Sequence, residues 1–145
     1  MWEGGPVPTE LGGFPGYLLA RLGDASRRRF AKALEPEGLH PRHFGVMAIV
    51  ATHPGTSQQQ LQEKTGIDPS SMVAVIDELE QRGVAERRSH PGDRRVRAIY
   101  LTDEGEAVYA RVRTVVAELQ RELLAPLAPD ERRTLVELLR KLATA

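Results

Sequence analysis

Residues 65–102, TGIDPSSMVAVIDELEQRGVAERRSHPGDRRVRAIYLT, decide the fold that we predict for this 145-residue chain. Asp68 can cap a helix that begins at Pro69, where the missing N–H costs nothing, and Gly83 ends that helix about four turns later. Apolar residues at i, i+3, i+4 and i+7 predict that one stripe of the helix is buried. The stripe consists of Met72, Val75, Ile76 and Leu79.

The pattern changes period after Gly83 and predicts two strands. Residues 84–90 (VAERRSH) and 94–102 (RRVRAIYLT) flank the turn formers Pro-Gly-Asp, which is typical of a hairpin with a tight loop. Upstream, Ser57 and Gln60 have the spacing of a capping box and open a short helix. Gly66 then provides the turn into the helix at Pro69, so residues 57–82 form a helix-turn-helix. A helix-turn-helix followed by a basic hairpin is a winged helix.

Further helices are predicted on both sides of this unit. They cover residues 16–34, 41–53, 103–124 with Thr102 as the cap, and 129–142. The last two carry apolar stripes that a small domain cannot cover completely, which favours burial against a second copy in a two-fold dimer. The alternative is that both helices pack only on their own subunit.

The fold class expected is therefore mainly α (α+β), a winged helix-turn-helix with added N- and C-terminal dimerisation helices. Residues 1–15 are rich in Gly and Pro and are expected to form a flexible arm. Residues 16–145 form the single domain that this length allows. Within it the winged helix covers about 40–102, and the dimerisation helices cover about 16–35 and 103–145.

The chain as a whole has no net charge, but its basic and acidic residues are unevenly distributed along the sequence. Twenty basic and twenty acidic side chains give a net charge of zero, whereas a nucleic-acid binder is expected to be basic. Residues 82–97 nevertheless contain six arginines against two acids, and residues 68–81 contain four acids and no base. The hairpin is therefore the positive patch, and the preceding helix is acidic.

Composition excludes several classes of protein. No apolar run approaches the roughly 20 residues of a membrane span, and the N-terminus lacks the basic and apolar regions of a signal peptide, so the chain is expected in the cytoplasm. Without cysteine, a thiol redox switch and a Cys-ligated metal are excluded. His40 and His43 could form half a metal site, but no further ligands are apparent, and we expect no metal and no cofactor.

Three motifs resemble the recognition helix and wing of the MarR family of bacterial transcriptional regulators. They are Leu79-Glu80-x-x-Gly83-Val84-x-Glu86-Arg87, Asp93-Arg94-Arg95 and Leu101-Thr102-x-x-Gly105. The resemblance extends over about residues 16–142, and its most specific part is the Asp-Arg-Arg tip at a fixed distance from the Leu-Thr helix start. It implies a homodimer with one winged helix on each half of a palindrome, and usually a small-molecule effector.

The winged helix supplies the candidate contacts to double-stranded DNA. We call the helix that begins at Pro69 the reading helix. In the major groove its first turns would present Pro69, Ser70, Ser71, Val73 and Ala74. The wing candidates, for phosphates and the minor groove, are Arg87, Arg88, Asp93, Arg94, Arg95 and Arg97. A carboxylate can hold and aim a guanidinium, and the resemblance implies that role for Asp93 toward Arg95. Many members carry a basic residue where this chain has Ala74 or Glu78, so we expect modest base discrimination.

An effector is inferred mainly from the resemblance. We expect a phenolic or other aromatic or anionic molecule, with candidate contacts at Tyr17, Arg21, His43, Met47 and Tyr109. An enzyme is not expected because no nucleophile elbow, phosphate loop or HExxH spacing occurs. The serious rival is a winged helix that binds protein, which the zero net charge and the acidic helix favour. Five arginines between residues 87 and 97 favour DNA, because a protein-binding wing does not need them.

Overall fold

The computed structural model describes residues 5–145 and confirms a mainly helical winged helix-turn-helix. The elements in chain order are α1 (Pro15–Leu34), a 3₁₀ turn (Glu35–Glu37), α2 (Pro41–Thr52), β1 (Thr56–Ser57), α3 (Gln58–Thr65), α4 (Pro69–Gln81), β2 (Ala85–His90), β3 (Asp93–Leu101), α5 (Asp103–Leu124) and α6 (Pro129–Ala143). The described part of the chain contains no helix that is both long and apolar enough to cross a membrane.

The chain divides into two compact units. One comprises residues 1–29, of which 5–29 are described, together with 116–145; the other comprises residues 30–115. The second unit contains α2, α3, α4 and an antiparallel sheet of strand order β1-β3-β2. Strand β1 was not predicted. It has only two residues, which pair with Ile99 and Ala98, and so short a strand leaves no alternation in the sequence.

The core of the second unit confirms the predicted stripe of α4. Met72, Val75, Ile76 and Leu79 are all buried. For α2 the spacing of apolar residues predicts a buried side formed by Phe44, Met47, Ala48 and Ala51, but among these only Met47 is buried. The buried residues of α2 are instead His43, Val46, Met47 and Val50. Helix α2 is apolar on most sides and packs against α3, α4 and β3, so periodicity alone could not select its inner face.

The predicted helix ends agree with the hydrogen bonds. Ser57 and Gln60 form the reciprocal capping box of α3, with N···O distances of 3.1 and 2.9 Å. Gly66 and Gly83 end α3 and α4 with φ of 72° and 71°, a left-handed conformation that favours glycine. The backbone N–H of Val84 then donates to the Leu79 carbonyl at 3.0 Å, which closes α4 and directs the chain into β2.

The other unit leaves much apolar surface on α6. No residue of this helix is buried within the described chain, and Leu138 and Leu142 are 53% and 65% exposed. Of the predicted arm 1–15, residues 1–4 lie outside the described residues. Residues 8–14 form hydrogen-bonded turns, Arg21 donates to the Gly5 carbonyl, and α1 begins at Pro15, one residue earlier than predicted.

Candidate nucleic-acid interface

The first turn of α4 is organised by Asp68. Its Oδ1 accepts the backbone N–H of Ser71 at 3.0 Å and the Ser70 hydroxyl at 2.7 Å, and its Oδ2 accepts the Ser71 hydroxyl at 2.6 Å. These bonds, those from Ser71 first, hold the pKa of Asp68 well below its usual range, so the group is a carboxylate that can only accept. Both serine hydroxyl protons are therefore directed to Asp68, and each Oγ offers lone pairs to other partners.

The predicted reading residues share the outer face of this helix start. Pro69, Ser70, Val73 and Ala74 are exposed, and Ser71 is half-buried. Val73 is 40% exposed, which is high for a branched apolar side chain. An exposed apolar group beside two hydroxyls is a surface that can contact both a methyl group and a polar base edge.

Arg87 of β2 does not extend outward from the wing. Its Nη1 donates to Asp77 Oδ1 at 2.6 Å and to Glu80 Oε1 at 2.5 Å, and its Nη2 donates to the carbonyl of Val73 at 3.3 Å. The side chain is only 20% exposed. Arg87, which we predicted as a phosphate ligand, is therefore bound to α4. Its partners lie seven to fourteen residues away in the sequence, and no sequence pattern predicts this pairing.

His43, a predicted effector contact, lies in the core between α2 and α4. Its Nδ1 accepts the His40 backbone N–H at 2.9 Å, and its Nε2 lies 2.5 Å from Glu78 Oε2. Burial lowers the pKa of His43; the carboxylate of Glu78 opposes this shift, whereas the charges of His40 and Arg82 add to it. The ring is therefore neutral with its proton on Nε2, and neither nitrogen has a lone pair left for a metal ion.

Each of the four acidic side chains at the start and along α4 accepts a hydrogen bond from another residue of the protein. Asp77 and Glu80 accept from Arg87, Glu78 accepts from His43, and Asp68 accepts from the two serines. Every carboxylate that made this helix look unsuited to DNA thus has a protein donor. Among these donors only Arg87 carries a positive charge, so it offsets one of the four negative charges of the helix and the other three remain.

The wing carries exposed arginines at and beside its tip. Arg94, Arg95 and Arg97 are exposed, and no ion pair within residues 5–145 involves them. The predicted bond between the Asp93 carboxylate and the Arg95 guanidinium is absent; Asp93 Oδ1 instead accepts the Arg95 backbone N–H at 2.9 Å. Asp93 therefore shapes the turn and leaves both tip guanidinium groups available.

Arg88 has a different environment from the tip. Its guanidinium lies 4.5 Å from the centroid of the Tyr100 ring and forms an ion pair with Glu86, while its side chain remains 58% exposed. A cation stacked on an aromatic face keeps its charge and its outer edge. Arg88 is thus a pre-oriented positive group on the face of the hairpin.

The foot of the wing is fixed by Thr102 and Gly105. The Thr102 hydroxyl donates to the Gly83 carbonyl at 2.5 Å and accepts the Gly105 N–H at 3.0 Å, and the Thr102 N–H donates to the Val84 carbonyl at 3.2 Å. A Cβ on Gly105 would lie 1.8 Å from the Val84 oxygen. The glycine of the Leu-Thr-x-x-Gly motif is therefore required by close backbone approach, which the spacing alone could not reveal.

Comparison with known proteins identifies the family. The sequence model of the MarR family matches residues 37–96. A protein of Thauera aromatica, named for transcriptional regulation of the hcr operon, is 34% identical over 137 residues, which cover 94% of this chain and 82% of the relative. The chain belongs to the MarR family. The resemblance predicted from the recognition helix and wing is confirmed, and this MarR-family chain is a transcriptional regulator and not an enzyme.

Solved MarR-family structures agree over nearly the whole chain. The transcriptional repressor CouR bound to a 23-mer DNA duplex is 32% identical with a TM-score of 0.85, covering 95% of this chain and 99% of that one. CouR from Rhodococcus jostii RHA1 bound to p-coumaroyl-CoA is 28% identical with a TM-score of 0.83, covering 94% and 96%. The fold is therefore one that, in a relative, has been seen with DNA and with an aromatic thioester.

The predicted effector residues are divided between the two units of this MarR-family chain. Tyr17 and Arg21 belong to the first unit, where Arg21 Nη1 donates to the Tyr17 hydroxyl at 3.2 Å. His43, Met47 and Tyr109 belong to the second. His43 and Met47 are 0% and 1% exposed and pack in the core, whereas Tyr109 is half-buried.

An aromatic cluster in the second unit was not predicted as such. The Phe44 and Tyr109 rings are stacked with centroids 5.9 Å apart, and Phe30 meets Phe44 edge-on at 5.3 Å. All three rings are half-buried. The sequence offered no signal for this cluster, because its members come from three different helices.

Proposed function

We propose that this chain is a sequence-specific repressor that binds a palindromic operator as a homodimer. The observation that carries the proposal is the pairing of two exposed features in one unit: the start of α4 and the arginines of the wing. Arg87 offsets one of the negative charges of α4, which lessens the acidity that favours the protein-binding alternative. The similarity to CouR bound to a DNA duplex supports the same conclusion.

In the proposed complex α4 enters the major groove. Because Ser70 and Ser71 present acceptors, they favour the amino groups of adenine N6 and cytosine N4, while Val73 and Ala74 contact thymine methyl groups. The exposed face has no arginine or lysine for bidentate binding of guanine. Arg94 and Arg95 enter the adjacent minor groove, where narrow A/T-rich segments concentrate negative potential.

The proposed dimer assigns the terminal helices to assembly and the winged helix to DNA. Exposed apolar side chains on α6 support this division; they are Val136, Leu138, Leu139 and Leu142. Large exposed apolar patches mark interaction surfaces, and closed two-fold dimers are the commonest assembly. Replacing Leu139 and Leu142 by glutamate should produce monomers in sedimentation velocity, and a wild-type monomer at micromolar concentration would contradict the proposal.

We further propose that a small aromatic effector releases the DNA by binding at the cluster formed by Phe30, Phe44 and Tyr109. Partly exposed rings at stacking distances can accept another ring by the same offset or edge-on geometry. The binding of p-coumaroyl-CoA by CouR supports an aromatic ligand, free or as an anionic thioester. A panel of phenolic acids and their thioesters, tested by thermal shift with the wild type and with Phe44→Ala, identifies the class.

The decisive experiment for DNA binding is selection of bound genomic fragments, followed by fluorescence anisotropy of a selected duplex across a salt series. Specific, steeply salt-dependent binding is expected. The balanced net charge favours one alternative, a winged helix that binds protein. Binding that is absent, or that does not change with salt, would support that alternative and overturn the repressor proposal.

A further inference from the structure

Arg87 stands apart from the other arginines of the wing. Its Nη1 lies 2.6 Å from Asp77 Oδ1 and 2.5 Å from Glu80 Oε1, and its Nη2 also reaches the Val73 carbonyl. It is 20% exposed, compared with 58% for its neighbour Arg88. A phosphate would have to compete with two carboxylates and a carbonyl that already hold the guanidinium.

We infer that Arg87 is a positioning residue, which fixes α4 against the wing and does not itself neutralise a phosphate; this inference rests on the proposed function. Its partners lie on successive turns of α4, from Val73 in the exposed reading face to Glu80 near the helix end. One planar group therefore ties a helix over two turns to strand β2. Because arginine presents donors on separate nitrogens in a rigid plane, it can reach acceptors spread over two turns of a helix, which the single nitrogen of lysine spans less well.

The same interactions give Arg87 an electrostatic effect, because its positive charge partly compensates the carboxylates of Asp77 and Glu80. Without its guanidinium, Asp77 and Glu80 would remain as two uncompensated carboxylates on the helix proposed to enter the groove. DNA binding would then weaken for two reasons: the angle between helix and wing would be less well defined, and the helix would repel phosphates. Both effects act through α4, and neither requires Arg87 to touch the DNA.

Salt dependence separates a positioning residue from a phosphate ligand. Removing one phosphate-binding side chain changes the slope of log K against log salt by about 0.9, or roughly 1.8 when the residue is present twice in a dimer. Arg97→Gln, at an exposed position of β3, is the matched control and should show that change. Arg87→Gln should weaken binding about ten-fold; combined with Glu80→Gln, so that one positive and one negative charge are removed together, it should keep a slope within about 0.5 of wild type. A slope change near 1.8 for this charge-balanced double variant would overturn the inference.

A variant without the three charges tests the electrostatic effect of Arg87 on Asp77 and Glu80. Combining Arg87→Gln with Asp77→Asn and Glu80→Gln removes the three charges together and leaves polar side chains of similar size. Affinity should rise at least about three-fold above that of Arg87→Gln, since coupled residues are not additive. Affinity that stays at or below that of Arg87→Gln would count against the electrostatic effect of Arg87 on Asp77 and Glu80.

Hydrogen exchange without DNA decides the structural part independently. Amides of residues 73–81 should exchange several-fold faster in Arg87→Gln than in Arg97→Gln, because only the former detaches a side chain from α4. Equal protection in both variants would overturn the positioning role even if the wild type bound no operator. A failure of operator binding by the wild type, in contrast, would overturn the proposed function alone.

Discussion

Removing Arg94 and Arg95 together should abolish much of the salt dependence of operator binding. Four wing arginines are exposed in each subunit, namely Arg88, Arg94, Arg95 and Arg97, whereas Arg87 is engaged with α4. If each of the four neutralises one phosphate, a dimer neutralises about eight and has a slope of log K against log salt of about −7. The double glutamine variant neutralises half as many, so its slope should fall to about −3.6.

These slopes predict a large difference across an accessible range of salt. A four-fold reduction in salt, from about 0.2 to about 0.05 M, should strengthen wild-type binding about 20,000-fold but strengthen binding by the variant only about 150-fold. The ratio of wild-type to variant affinity should therefore be about 130-fold larger at the lower salt concentration than at the higher one. Because both side chains are exposed and form no ion pair within residues 5–145, the fold should not depend on them.

Fluorescence anisotropy with a selected operator duplex, at four or more salt concentrations, measures both slopes. Far-UV circular dichroism and the Tm should be unchanged in the variant. The matched control replaces Arg133 and Arg140 of α6 by glutamine, which removes the same charge far along the chain from the wing and should leave the slope unaltered. A wing variant with a wild-type slope and wild-type affinity would refute the assignment of the wing to DNA.

Three further predictions concern the scaffold. Gly105→Ala forces a Cβ against the Val84 carbonyl and should lower the free energy of unfolding in urea by about 3 kcal/mol. The matched control is Gly23→Ala, whose added Cβ has no atom within 4 Å and should raise that free energy by about 0.5–1 kcal/mol. The pKa of His43 is lowered from 6.5, so its stabilising contribution is complete above pH 6.5 and is lost as the pH falls toward the folded-state value; His43→Gln should flatten the decline of Tm between about pH 7 and 5. Asp68→Asn keeps a capping oxygen, but its amide N–H donates to one serine, whose own hydroxyl proton is then free to donate to a base. Selected operators should therefore shift from adenine or cytosine toward guanine or thymine at one position per half-site, and an unchanged selection would contradict the acceptor assignment.

Local signals explain the parts of the fold that the sequence predicted well. The limits and buried stripe of α4 follow from Asp68, Gly83 and the helical spacing of its apolar residues, all within a short stretch of chain. The hairpin follows from Pro-Gly between two strand-like runs. Such features succeed because the interactions that fix them join residues close in sequence, and the tertiary structure reinforces the same choice.

The features that sequence reasoning missed depend on residues distant in the chain. Strand β1 exists because Thr56 and Ser57 pair with Ile99 and Ala98 of β3, and its own two residues carry no period. His43 can be part of the core because Glu78, thirty-five residues away, accepts a hydrogen bond from its Nε2–H. A histidine among apolar residues reads equally well as ligand, switch or core, and only the identity of its partners decides.

The charge on the winged helix shows why a count along the chain misjudged this surface. Six arginines in residues 82–97 and four acids in residues 68–81 suggested a basic wing beside an acidic helix. Pairing within the protein reduces both counts by one, because Arg87 is held by two of those acids and offsets one of their charges. The positive groups left for a partner are therefore the exposed arginines of the wing, whereas the helix keeps three carboxylates without a compensating charge. A protein of zero net charge can therefore present a positive wing, because its charges are unevenly distributed over the surface.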